Sequence, residues 1–170
     1  MKRIYLLLSI LILLGALFGC GKQPKTEIVA PVTYYYHNDL EQKDDFSNVF
    51  VAETRESVQF QEDLVALLND YLTGPESEGL INPFPAGLEI ISFAESGDTA
   101  NIQLNDKIGT LSGIDLTMAC SCLSLTVFDM TECDYVQISA ENVLLSEQSF
   151  LTFSRESMVL RDETPLPTEN

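Results

Sequence analysis

The chain has no tryptophan and a single histidine, His37. One histidine excludes a histidine pair around a metal ion, and any Ser-His-Asp or Cys-His arrangement would have to recruit His37 beside the first expected strand. Basic residues are scarce as well: nine Lys and Arg stand against twenty-six Asp and Glu, for a formal charge of −17. Without a basic face to neutralise phosphates, nucleic acid is a poor partner and direct adhesion to anionic headgroups is disfavoured. The acid surplus reads first as a solvated surface that keeps the chain in solution. No glycine-rich phosphate loop follows any expected strand, and spacing alone singles out no carboxylate pair for glycosidic cleavage in so acidic a chain. The residues call for no enzyme, no catalytic residue, no metal and no cofactor.

The least interrupted apolar run lies at the start of the chain. Met1-Lys2-Arg3 is basic, Ile4 to Phe18 is apolar apart from Tyr5, Ser9 and Gly15, and Gly19-Cys20 follows. The run is shorter than the roughly 20 residues of a spanning helix, which makes residues 1–19 a secretory signal peptide. Its end, Leu17-Phe18-Gly19-Cys20, resembles the bacterial lipobox. That resemblance implies that Cys20 receives a diacylglycerol and becomes the lipidated N-terminus, anchoring the protein to the extracytoplasmic face of the cell membrane. Phe18 is bulkier than the residue usual there. Removing residues 1–19 takes away Lys2 and Arg3 and no acidic residue, shifting the formal charge from −17 to −19. Residues 20–31, with two lysines and two prolines, read as a lipidated N-terminus and polar tether.

The remaining length fits one domain with a real core. Val32 to Tyr36 is β-branched and aromatic, a first strand; His37 to Asp45 is polar and reads as a loop into a second strand around Val49 to Val58. Asp39, Glu41, Asp44 and Asp45 lack the spacing of an EF-hand, so solvated charge is the better reading. The tyrosine run suggests sugar stacking, but alternate tyrosines on a strand more often divide between core and surface. Leu64, Leu67, Leu68, Tyr71 and Leu72 recur at helical spacing between about Gln61 and Thr73, with Glu62 and Asp63 in the first turn. Strands at Leu88 to Glu95 and Thr99 to Leu104 form a hairpin across Ser96-Gly97-Asp98. Thr110 to Met130 is apolar almost all round, with a thin polar stripe of Thr117, Ser121 and Ser124, and is expected to be the central helix. Asp134 to Ala140 is the next strand, with Asn142 to Leu145 as a short partner; Phe150 to Arg161 is compatible with an edge strand or a turn of helix. Residues 146–161 form an extension, and 162–170, with Pro165 and Pro167, a disordered tail.

Between the first helix and the hairpin lies the most informative stretch. Gly74-Pro75 ends the helix, and Asn82-Pro83-Phe84-Pro85-Ala86-Gly87 stiffens the entry to the next strand. Leu72, Gly74, Pro75, Pro83, Pro85 and Gly87, followed by a strand pair, a second helix and a strand, resemble the GerMN domain of bacterial sporulation and spore-germination lipoproteins over residues 32–145. The resemblance implies an α+β fold, a small mixed β-sheet with two helices packed on one face, and these six residues as structural determinants. It also implies a non-enzymatic module that meets other sporulation or envelope proteins. A general cell-envelope role, or the binding of a solute or wall fragment, is the alternative.

Cys120, Cys122 and Cys133 remain. Two residues apart on a helix, Cys120 and Cys122 point to nearly opposite sides, and Cys133 lies roughly 15 Å further along the axis. No disulfide spans such distances, and three thiols without a neighbouring histidine do not complete a structural zinc site. Cys120 and Cys122 are read as small core residues.

Overall fold

A computed structural model describes residues 30–38, 49–57, 63–147 and 149–158. The signal peptide, Cys20, the tether up to residue 29, the acidic positions from Asp39 to Asp45, and the tail lie outside the described residues; Ala30 and Pro31, expected to end the tether, belong instead to the first strand.

Strand β1 (Ala30–Asn38) pairs antiparallel with β2 (Phe50–Ser57), with Tyr34 opposite Glu53 and Tyr36 opposite Val51. His37 is therefore a strand residue and not the start of a loop. Alternation along β1 buries Tyr34 and Tyr36 and leaves Tyr35 half-buried. Helix α1 (Leu64–Tyr71) begins at Asp63, whose carboxylate accepts the Ala66 N–H at 3.1 Å. It buries Leu67, Leu68 and Tyr71. Strand β3 (Leu80–Ile81) then pairs with the end of β1, completing a three-stranded antiparallel sheet in the order β2-β1-β3.

Strands β4 (Ile90–Ser96) and β5 (Thr99–Leu104) form the expected hairpin, with a bulge at Ile91. A 3₁₀ turn (Asp106–Thr110) leads into α2 (Gly113–Met130), which starts three residues later than the sequence suggests. The chain returns as β6 (Tyr135–Ala140), parallel to β5, and β7 (Phe150–Ser154) pairs antiparallel with β6. The second sheet is thus mixed, in the order β4-β5-β6-β7. A single turn, α3 (Arg155–Met158), follows, so Phe150 onward supplies both an edge strand and a turn of helix. Asn142 to Leu145 contributes one bridge, Val143 to Ala140, in place of a strand.

The architecture is α+β, with a mixed sheet and two main helices; the strands are divided between two sheets where the sequence suggested one. Helix α2 lies against β1 of one sheet and β6 of the other, while α1 lies against β4. Although α2 has the length and apolarity of a membrane span, its ten residues from Ala119 to Phe128 are all buried in this core. Ser121 and Ser124 are buried with them, and of the polar stripe on α2 only Thr117 is exposed. Short β3 leaves Tyr35 without a backbone partner on that side. Its N–H donates to Thr126 Oγ1 at 2.9 Å, and its carbonyl accepts the Tyr71 hydroxyl at 2.6 Å, joining β1 to both helices.

Candidate functional site

The six motif residues gather around the end of α1. The Thr73 N–H donates to the Asp70 carbonyl at 3.0 Å and the Gly74 N–H to that of Tyr71 at 3.2 Å, closing the last turn. Gly74 has φ +117°, and a Cβ there would lie 2.9 Å from Asn82 Nδ2. Asn82 needs that closeness: its amide nitrogen donates to the Leu72 carbonyl at 3.3 Å, and its Oδ1 accepts the Phe84 N–H at 3.0 Å. Pro83 and Pro85 flank Phe84, which is buried edge-on against Tyr71 with ring centres 5.0 Å apart. The Leu88 N–H donates to the Pro85 carbonyl at 3.1 Å across a turn that gives Gly87 φ +77°. Asn69 completes the arrangement from α1, donating to the Ile90 carbonyl at 3.1 Å and accepting its N–H at 2.8 Å.

These contacts enclose an open groove of about 600 Å³. Leu72, Pro85 and Gly87 line it with Asn69, Asn82 and Leu88; Gly74 packs against Asn82 behind it, and Pro75 and Pro83 are not among its lining residues. The side-chain amides of Asn69 and Asn82 are spent on backbone groups, so the groove is a built turn more than a reactive site. Cys20 lies outside the described residues.

Glu53 and Arg55 hold the motif from beneath and escaped the sequence reading. Two apart on β2, they share a face, and that spacing of opposite charges in a strand was the available signal. Arg55 Nε donates to Glu53 Oε1 at 2.6 Å, and Nη2 donates to the Tyr36 hydroxyl at 2.9 Å and the Gly74 carbonyl at 2.7 Å. Its guanidinium sits 4.9 Å from the centre of the Tyr34 ring. Glu53 accepts the backbone N–H groups of Glu76 at 3.1 Å and Ser77 at 2.7 Å, just past Gly74-Pro75. Burial alone would raise the Glu53 pKa; the hydrogen bonds from Ser77, Arg55 and Glu76 outweigh it and hold the carboxyl below its ordinary value. Burial likewise disfavours charge on Arg55, and its hydrogen bond to Glu53 does most to raise its pKa nonetheless. Asp70 and Glu76, 4.0 and 3.9 Å from Arg55 but exposed, add little.

Tyr34 and Tyr36 of the strand run are core, not a platform. Tyr34 stacks on Tyr71 at 5.1 Å with ring planes 7° apart, and its pKa is pushed up to about 12, chiefly by burial. A second cation, half-buried Arg155, also escaped notice: its guanidinium donates to the carbonyls of Thr131 at 2.8 Å and Cys133 at 2.7 Å, where α2 ends. His37 Nδ1 lies 3.0 Å from the Asn38 carbonyl. Among the described residues no cluster of three His, Cys, Asp or Glu is placed to hold a metal ion.

No family model matches the chain, and no curated protein matches it. Solved structures do. The two sheets enclosing α2, with the groove at the end of α1, define an α+β module seen before. The tandem GerMN domains of the sporulation protein GerM from Bacillus subtilis superpose with a TM-score of 0.59 at 20% identity, over 80% of this chain and 48% of that one. The first GerMN domain of the same protein gives 0.53 at 16% identity, over 66% of this chain and 84% of that one. The chain spans about half the length of the tandem structure, and its fold is GerMN-like.

Proposed function

We propose that this chain is a membrane-anchored extracytoplasmic lipoprotein whose GerMN-like domain is a non-enzymatic assembly module in sporulation or spore germination. The observation that carries the proposal is the fold likeness to GerM, a sporulation protein, across most of the chain. Two features agree with it. The apolar run ending in Gly19-Cys20 supplies the anchor, and the motif residues are engaged in shaping a turn, which leaves function to the outer faces of helices and sheets.

The test joins both halves. Crosslinking of the full chain in sporulating and vegetative cells of the source bacterium should capture envelope proteins chiefly during sporulation. Equal capture in both cell types would favour the general envelope role. Cys20→Ala should abolish labelling by radioactive fatty acid and release the chain from the membrane fraction; unchanged labelling overturns the anchor.

A further inference from the structure

The outer face of the four-stranded sheet has an unusual composition for so acidic a chain. Registers place its residues in three rows: Ser96, Thr99, Tyr135 and Ser154; Ala94, Asn101, Gln137 and Thr152; Ser92, Gln103, Ser139 and Phe150. None of these is charged, although the chain carries −17 overall. Glu95, the only charged residue in the four strands, pairs with buried Ala100 and belongs to the opposite alternation. Solvation and solubility favour charge on an open sheet face, so those demands do not account for twelve neutral positions.

Three side-chain amides form the middle of the face. Asn101 and Gln103 are successive outward residues on β5, roughly 7 Å apart, and Gln137 sits beside Asn101 on the next strand, roughly 5 Å away. Hydroxyls of Ser92 and Ser139 border them around a shallow hollow of about 280 Å³. The amides are weakly engaged: Asn101 Nδ2 reaches the Ala94 and Thr99 carbonyls, both at 3.4 Å, Gln103 Oε1 accepts from the Ser92 hydroxyl at 3.4 Å, and the Gln137 side chain has no partner among the described residues. Tyr135, 42% exposed, and Phe150 stand at opposite ends of the adjacent strands β6 and β7, roughly 14 Å apart by strand geometry.

We infer that this face binds an uncharged polysaccharide chain of N-acetylated hexosamines. Amide side chains both donate and accept, matching sugar hydroxyls and acetamido groups, while two aromatic rings offer apolar faces to the sugar rings between them. A neutral face costs an uncharged ligand no desolvation of charge and offers nothing to a basic protein, which the acidic surroundings would attract instead. The inference rests on the extracytoplasmic placement proposed above, which puts the sheet where wall glycan is found.

The probe is the hexamer of N-acetylglucosamine, titrated calorimetrically into the full chain in detergent. Saturable binding is expected, weakened at least tenfold by the pair Asn101→Ala and Gln137→Ala and by Gln137→Glu, with the melting temperature unchanged. Tyr135→Ala should weaken it too. Absence of binding by the wild type, or equal binding by the amide variants, overturns the inference. So does a dimer in sedimentation that the amide variants dissociate, since the face would then belong to a second copy. Hexamer binding needs neither membrane nor protein partner, so its failure and a failed crosslink in cells remain distinct results.

Discussion

Gly74 answers two separate demands, a φ of +117° that side chains rarely tolerate and the packing of Asn82 where a Cβ would stand. Either alone favours glycine; together they leave no room for relaxation, because Asn82 is held at both ends of its amide by Leu72 and Phe84. Gly74→Val should therefore cost about 2 kcal/mol or more, a fall of roughly 5 to 10 °C in the melting temperature of the full chain. Partner capture should fall only with the unfolded fraction. A variant that melts like the wild type yet loses its partner would make the turn itself a contact surface. This residue was legible in the sequence because Gly-Pro after a helical run has few other uses. Ser124 was not. Its hydroxyl is fully buried without a hydrogen-bond partner among the described residues, where the sequence reads as a thin polar stripe. One helix's pattern does not reveal that a sheet covers it from each side.

At the scale of elements, β2 matters for what it fastens. Glu53 and Arg55 tie the strand to the loop after α1, so the motif turn is held by a buried ion pair as well as by its own prolines. Glu53→Gln should destabilise the chain by about 3 kcal/mol at neutral pH, since Arg55 loses its counter-charge while remaining buried. The pH dependence has a definite sign. Glu53 is held below its ordinary value of 4.5, so its contribution is complete above that pH and disappears as the pH falls through the lower folded value. Thermal melts of wild type and variant should differ most at pH 6 to 7 and converge in acid; a gap that persists in acid would show that the charge is not the cause. Strands β1, β2, β4, β5 and β6 were readable from the sequence, as was the hairpin at Gly97-Asp98, whereas two-residue β3 was not and β7 was compatible with strand or helix. The division of the strands into two sheets was not readable, because pairing between β1 and β3, or β6 and β7, depends on contacts distant in sequence. Arg155 was hidden for the same reason: only the fold brings it to the carbonyls at the end of α2.

For the whole molecule, α2 is the shared interior of two sheets, and that makes its cysteines reporters of global opening. Cys120, Cys122 and Cys133 are free and buried. Burial pushes the thiols of Cys120 and Cys122 up to about 12, so almost no thiolate exists near neutrality, and no reagent reaches them while both sheets stay closed on the helix. The sequence supported the core reading of these two residues, since an apolar helix leaves no solvent side, but not that separate sheets would supply the cover. Native full chain exposed to iodoacetamide at pH 8 should leave both unmodified for as long as the fold persists. Raising denaturant should make their modification rise in step with loss of the fold's circular dichroism, because only global unfolding separates the sheets. Modification well below that transition would mean that one sheet lifts from α2 on its own, and the two sheets would then be separate cooperative units joined by the helix.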